Sequence, residues 1–249
     1  MKRLNKIFLT LLLFCAFNSF SQSVDEIIDN YFENTGGIDQ WRKLKGVKMK
    51  AKLNQQGMEI PIELIQMKGG KQMQIINFQG QSIKAQVFDG EVGWGINMMS
   101  QQPEKNDQET TDNLKLENND FPDPFMDYKS KGYRAELIGM ETIDGTETLK
   151  VKLTKEPKTI EGKKEDDITF YFFDTENYVP IAIQTEVKQG PGKGMIMEIT
   201  MSDYQEVDGL YFPFSQTQGM KGKPSTPLII ESIELNPSID EKEFKFPEN

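Results

Sequence analysis

The sequence contains no histidine and only one cysteine, Cys15, among its 249 residues. Cys15 lies in an amino-terminal stretch that has the features of a cleaved leader, so a processed chain has no cysteine either. Disulfides, the usual zinc sites and Ser–His or Cys–His catalysis are therefore excluded for the processed chain. Lys–Ser or paired-carboxylate chemistry stays formally open, but no motif supports it. We expect no catalytic residue, no metal and no cofactor.

The leader is indicated by a basic start, an apolar run over residues 7–17 interrupted only by Thr10, and the small residues Ser19 and Ser21. This order predicts export with cleavage between Ser21 and Gln22, and hence a periplasmic protein. A membrane anchor is the alternative, but a spanning helix needs about 20 apolar residues. Residues 22–249 show no repeat or linker and are predicted to form one domain.

Negative charge predominates, since the sequence has 39 acidic and 29 basic residues. The leader holds three of the basic residues and none of the acidic ones, which brings the processed chain to a net charge of −13. This balance argues against nucleic acid and against anionic membrane surfaces as partners.

The hydrophobic pattern predicts one clear helix followed by antiparallel strands. Ser23 and Glu26 form a capping box, and Gly36–Gly37 provide a stop signal. The helix places one apolar face along Val24, Ile27, Ile28, Tyr31 and Phe32. After Gly46 the apolar residues alternate with period two, and turn signals separate successive runs. We predict a mainly β fold with about 11–12 antiparallel strands in one curved sheet and the helix on its concave side.

Methionine is unusually frequent at one-sided strand positions, where its flexible side chain suits either an ordinary core or a surface that adapts to apolar partners. If the inward positions face one cavity, its lining is predicted to be Met49, Ile60, Ile62, Leu64, Met73, Ile75, Trp94, Ile96, Met197 and Ile199. Residues 100–131 interrupt the pattern and predict a weak helix and an irregular segment. Their apolar side chains indicate either a movable lid or a fixed flap: Leu114, Leu116, Phe121, Phe125 and Met126.

Three phrases resemble segments of the LolA-like family of periplasmic lipoprotein carriers, in its Bacteroidetes form. They are the turn and tryptophan strand 88–94 (FDGEVGW), the strand–turn–strand 202–213 (SDYQEVDGLYFP) and the closing segment 233–244 (IELNPSIDEKEF). The resemblance implies a half-open antiparallel β-barrel whose apolar concave face is covered by helices. One departure is residues 68–71 (KGGK), where the Escherichia-type carrier has Lys-Arg-Pro, so no latch residue is carried over.

The resemblance also implies a function. We expect a non-catalytic, chaperone-like carrier, monomeric in solution, that binds acyl chains of lipoproteins or lipids during outer-membrane lipoprotein sorting. Its partners would be acylated lipoproteins or lipids, together with sorting proteins of the inner and outer membranes. The alternative is an envelope sensor or scaffold that uses the same fold to bind a protein, because fold alone does not determine function.

Overall fold

The computed structural model describes residues 22–247; the predicted leader and Cys15 lie outside these residues. Three α-helices and thirteen strands make up the described chain, with short 3₁₀ helices at Asn118–Asp120, Gly190–Gly192 and Glu241–Phe244. The helices are α1 (Val24–Asn34), α2 (Ile38–Lys43) and α3 (Gln108–Glu117). The strands are β1 (Gly46–Gln55), β2 (Met58–Met67), β3 (Gln72–Phe78), β4 (Gln81–Phe88), β5 (Gly93–Ile96), β6 (Pro103–Lys105), β7 (Arg134–Ile143), β8 (Thr146–Ile160), β9 (Lys163–Asp174), β10 (Pro180–Glu186), β11 (Ile196–Val207), β12 (Leu210–Met220) and β13 (Thr226–Leu235).

All thirteen strands form one antiparallel, curved, open sheet in the order β6-β5-β4-β3-β2-β1-β13-β12-β11-β10-β9-β8-β7. Each neighbouring pair is a hairpin or near-hairpin except β1 with β13, which joins the two halves of the chain. The fold class predicted from the sequence is confirmed. The sheet has one strand more than expected, because β6 has only three residues and is too short to show a period.

Several irregularities bend the sheet. Between β1 and β13 the register shifts at Lys50/Ala51, and further shifts occur in the β3–β4, β7–β8 and β8–β9 pairs. Such bulges increase the local twist and curvature of antiparallel strands. Pro61 pairs with Lys52 on the β1 side, whereas the β2–β3 pairing begins only at Ile62. The proline therefore lies where β2 has one free side and costs no ladder hydrogen bond there.

The first two helices cover part of the concave face. Ser23 and Glu26 form the predicted capping box at the start of α1. The buried side of α1 packs with Trp41 of α2, Phe212 of β12 and Phe173 of β9 in the main core. Trp41 is fixed there by hydrogen bonds from its indole nitrogen to the carbonyl and hydroxyl oxygens of Thr35, at 3.2 and 3.1 Å.

The opposite, convex face of β2–β5 has its own cover. Ile65, Met73, Val87 and Trp94 are cross-strand neighbours, and Phe244 from the carboxyl-terminal segment packs on them. The indole nitrogen of Trp94 donates to the carbonyl oxygen of Phe244 at 2.8 Å. The closing segment is thereby held against the outside of the sheet.

Candidate functional site

Beyond the area covered by α1 and α2, the concave face is an apolar trough. Strand register brings Met49 opposite Leu64, Ala51 opposite Ile62 and Leu53 opposite Ile60. Directly opposed residues point to the same side of a sheet. The cluster at the centre of this trough comprises Met49, Ala51, Ile60, Ile62, Leu64, Ile76, Phe214, Leu228, Ile230 and Ile233.

Most of these side chains are only half-buried. Ala51, Ile62 and Ile230 are buried, whereas their apolar neighbours around them keep part of their surface exposed. Apolar surface exposed in a contiguous, concave patch is unfavourable in water and characterises binding grooves. The trough therefore has the composition and shape of an apolar binding groove.

One end of the trough deepens into a cavity of about 270 Å³. Met49 and Leu64 form its apolar side, and four glutamine side chains complete the wall: Gln66, Gln72, Gln74 and Gln86. The register explains this grouping, since Gln66 pairs with Gln72 and Gln74 pairs with Gln86 across neighbouring strands. None of the four side-chain amides is hydrogen-bonded to another described residue, so all can bind a ligand.

A second cavity of about 180 Å³ adjoins the first, because Gln66 and Gln72 line both. Its far wall consists of Asn118, Asp120 and Phe121 from the segment after α3. The apolar trough thus continues past the four glutamines into a second cavity, whose wall also carries the charged groups of Lys71, Glu117, Asp120 and Lys155. Sequence reasoning missed the glutamine zone. The available signal was the recurrence of glutamine at alternating positions 72 and 74 beside an apolar strand.

The ten predicted lining residues do not form one surface, and this expectation is corrected. Six lie on the concave face: Met49, Ile60, Ile62 and Leu64 in the trough cluster, with Met197 and Ile199 on the same side by register through β12 and β13. The other four, Met73, Ile75, Trp94 and Ile96, belong to the convex cluster under Phe244. A strand's side chains alternate between faces, and a shift of one position exchanges them. Met73 pairs with Ile65, which points outward, and not with Leu64, which points into the trough. Met73 and the three other residues of its cluster therefore lie on the convex face.

Residues 107–120, here called the strap, connect the two sides of the sheet. On the β8–β9 side, Asn113 exchanges two hydrogen bonds with the backbone of Thr159, at 2.7 and 3.0 Å. Glu109 accepts from the backbone nitrogens of Glu161 and Gly162, both at 2.8 Å. On the β5 side, Leu114 is buried against Gly93. The strap is therefore held largely by polar contacts at its surface.

The following residues, 121–128, are held differently. Phe125 and Met126 are buried in the main core beneath α1. The centroid of the Phe125 ring lies 4.7 Å from the ring centroid of Tyr171 and 5.6 Å from that of Phe173, and both pairs pack edge-on. Among the predicted lid residues, Phe125 and Met126 thus lie in the core, Phe121 packs at its margin, and Leu114 and Leu116 lie in the strap.

A carboxylate accompanies these aromatic rings. The hydroxyl of Tyr31 donates to Asp123 at 2.9 Å, and the backbone nitrogen of Phe125 donates to the same carboxylate at 2.8 Å. Withdrawal from water raises the pKa of Asp123 to about 6, although both hydrogen bonds favour its ionised form. The pKa of Tyr31 is raised as well, first by burial and then by the charge of Asp123.

Within residues 22–247, none of the helices combines the length and apolarity that crossing a bilayer requires. Over the same residues, Asp and Glu side chains do not gather in groups of three that could hold a metal ion.

Comparison with known proteins identifies the fold. No family model matches the sequence, and no curated protein matches it. Among solved structures, a LolA superfamily protein from Nitrosomonas europaea is similar at 12% identity and a TM-score of 0.56, covering 90% of this chain and 97% of its own. A putative outer membrane lipoprotein-sorting protein domain from Vibrio parahaemolyticus matches at 12% identity and a TM-score of 0.52, covering 88% and 94%. A DUF1329 family protein from Desulfovibrio piger matches at 12% identity and a TM-score of 0.54, covering 90% and 97%.

Proposed function

Since the chain has a LolA-like fold, we propose that it is a non-catalytic carrier that holds an acyl chain of a lipoprotein or lipid in the concave trough. The observation that carries this proposal is the half-exposed apolar cluster around Leu64, which opens directly into the cavity beside Met49. A folded protein gains nothing from leaving such a surface in water, whereas an acyl chain would cover it.

The apolar wall suits the energetics of acyl binding. Burial of each methylene is worth about 0.8 kcal/mol, so a chain of about 16 carbons supplies on the order of 10 kcal/mol before association costs. No charged group is needed for this term. The glutamine zone suits the uncharged polar part of an acylated molecule, because its amides can donate to ester or amide oxygens and accept from N–H groups.

Export and partners complete the proposal. The leader, with cleavage between Ser21 and Gln22, would deliver the carrier to the periplasm. There it would receive acylated lipoproteins or lipids from an inner-membrane sorting protein and pass them to an outer-membrane acceptor. The Vibrio protein of similar fold is described as a putative lipoprotein-sorting domain, which supports this role.

A pair of matched variants tests acyl binding. Leu64→Asp places a carboxylate in the cavity wall at a half-buried position, which the fold should tolerate. Ile229→Asp makes the same change on the other face of β13, where the side chain is 46% exposed. With a fluorescent fatty acid in solution, Leu64→Asp should weaken binding at least about tenfold, because an ionised group in an apolar site is strongly disfavoured. Ile229→Asp should bind as the unmodified protein does.

The outcome that contradicts the proposal is equal affinity of both variants, or no binding by the unmodified protein. Native mass spectrometry of protein purified from its own periplasm provides an independent reading, since a retained lipid adds its mass. Co-purification with an unacylated protein and no lipid would favour the sensor or scaffold instead.

A further inference from the structure

The antiparallel topology collects six connections at one end of the sheet. Leu53 near the end of β1 pairs with Leu228 near the start of β13, so the turn after β1 and the loop before β13 lie at the same end. Because the sheet is antiparallel, every second strand connection along each half of the chain lies at this same end. This tip end comprises residues 56–57, 79–80, 97–102, 161–162, 187–195 and 221–225.

The tip end differs in charge from the rest of this acidic chain. Its six connections contain four lysines and a single carboxylate, Glu161; the lysines are Lys188, Lys193, Lys221 and Lys223. The strand connections at the opposite end, residues 68–71, 89–92, 144–145, 175–179 and 208–209, hold two lysines and five carboxylates. The charges of the strand connections are thus unevenly divided between the two ends of the sheet, although the formal net charge of the protein is −10.

Three of the four tip-end lysines lie within 4.0 Å of a carboxylate, all at partly exposed positions: Lys188 near Glu186 and Glu165, Lys193 near Glu161, and Lys221 near Glu141. Loops 187–195 and 221–225 are neighbours, since the backbone nitrogen of Lys221 donates to the carbonyl oxygen of Ile196 at 2.8 Å. Among the described residues, Lys223 has no carboxylate within 4.0 Å. Lys193 lies 3.6 Å from Glu161, but both side chains are more than half exposed. Exposed pairs of this kind contribute little and exchange readily for other anions.

Exposed methionines also lie at this end of the sheet. Met98 and Met99 occupy the β5–β6 connection and are 53% and 89% exposed. Met58 begins β2 directly after a tip, and Met195 ends the loop that holds Lys188 and Lys193; both are also exposed. Lysine together with flexible apolar side chains on one surface is the composition that binds the headgroup region of a bilayer.

We propose that the tip end docks on the surface of a bilayer containing anionic phospholipids. The lysines would contact lipid phosphates, and Met98 and Met99 would enter the boundary between headgroups and acyl chains. Apolar residues of the concave face reach this end, since Leu53 and Phe78 lie within a few residues of the tips. Docking would bring the mouth of the trough to the membrane and turn the acidic end away from it. The inference goes beyond acyl binding and does not depend on it.

Co-sedimentation with vesicles tests the proposal. The probes are phosphatidylcholine vesicles and vesicles in which about one third of the lipid is phosphatidylglycerol. The tip variant changes Lys188, Lys193, Lys221 and Lys223 to Gln. The control variant makes the same change at four exposed lysines remote from the tips, Lys43, Lys45, Lys68 and Lys242, so both variants have the same net charge.

We expect the unmodified protein and the control variant to bind anionic vesicles with affinities within about twofold of each other. The tip variant should bind at least about tenfold more weakly, because each lysine near an anionic surface contributes to binding. Met98→Ser with Met99→Ser should weaken the binding that persists at high salt, which screens the lysines but not the apolar contact.

Absence of binding by the unmodified protein would overturn the proposal, as would an equal loss in the tip and control variants. Acyl binding in solution, measured on the same variants, separates the two proposals. A protein that docks but binds no fatty acid contradicts only the carrier role, and one that binds fatty acid but does not dock contradicts only the membrane contact.

Discussion

Phe125 and Phe121 lie in the same irregular segment, and replacing each by alanine tests how that segment is held. Phe125 is 2% exposed and packs edge-on against Tyr171 and Phe173. Phe121 is half-buried at the margin of the same core. If residues 121–128 are a fixed part of the core, the two truncations must differ greatly in cost.

The magnitude follows from burial. Truncation of a fully buried phenylalanine removes its transfer free energy and leaves a cavity, which together cost about 3–5 kcal/mol. The two aromatic contacts add to this loss, at about 0.5–1.5 kcal/mol each beyond area. Phe121→Ala should cost only about 1 kcal/mol, since that ring is partly in water already.

Urea unfolding followed by circular dichroism measures both changes. We expect Phe125→Ala to lower the midpoint strongly at an unchanged slope, because the surface exposed on unfolding is nearly the same. Equal, small losses for the two variants would refute the reasoning. They would mean that the whole segment, and not the strap alone, leaves the core easily and could act as the movable lid.

Further predictions concern pH and the strap. The pKa of Asp123 is raised from 3.8 to about 6 in the folded protein. Between these two values the folded state keeps a proton that the unfolded chain releases. The contribution of this protonation to the free energy of unfolding is therefore lost as pH rises from about 4 to 7. Relative to Asp123→Asn, the unmodified protein should therefore lose up to about 3 kcal/mol of unfolding free energy over that window, measured by urea titration at each pH; parallel curves would exclude Asp123 as the cause. Asn113→Ala removes both hydrogen bonds to Thr159 and should speed amide exchange in α3 about tenfold without affecting the strands. An acylated ligand should alter exchange in α3 more than in β8, whereas identical exchange with and without ligand would indicate a fixed flap.

Local patterns were sufficient to predict most of the helices and strands; the three-residue strand β6 was missed. The capping box of Ser23 and Glu26 forms because it involves groups only three residues apart. Period-two alternation likewise identified the strands, because successive side chains of a strand point to opposite faces of the sheet.

The faces of the strands were harder to assign. β3 carries apolar residues at Met73 and Ile75 but also at Ile76, so its alternation does not distinguish inside from outside. The register across the β2–β3 turn decides, and it places Met73 beneath Phe244, about 170 residues away in the chain. No property of residues 72–78 alone contains that information.

Sequence by itself determined the chemistry that is excluded and the class of the fold, because missing histidine and local periodicity need no tertiary context. Only the tertiary structure revealed the glutamine zone and the tip end. The glutamines meet through the register of neighbouring strands, and the tip end consists of residues far apart in the chain. The net charge of the sequence argued against anionic membranes. Among the strand connections, the structure places Lys188, Lys193, Lys221 and Lys223 at one end and most of the carboxylates at the other. A sum over residues carries no direction, whereas a surface that meets a membrane experiences only the local field, which decays within about 10 Å in salt.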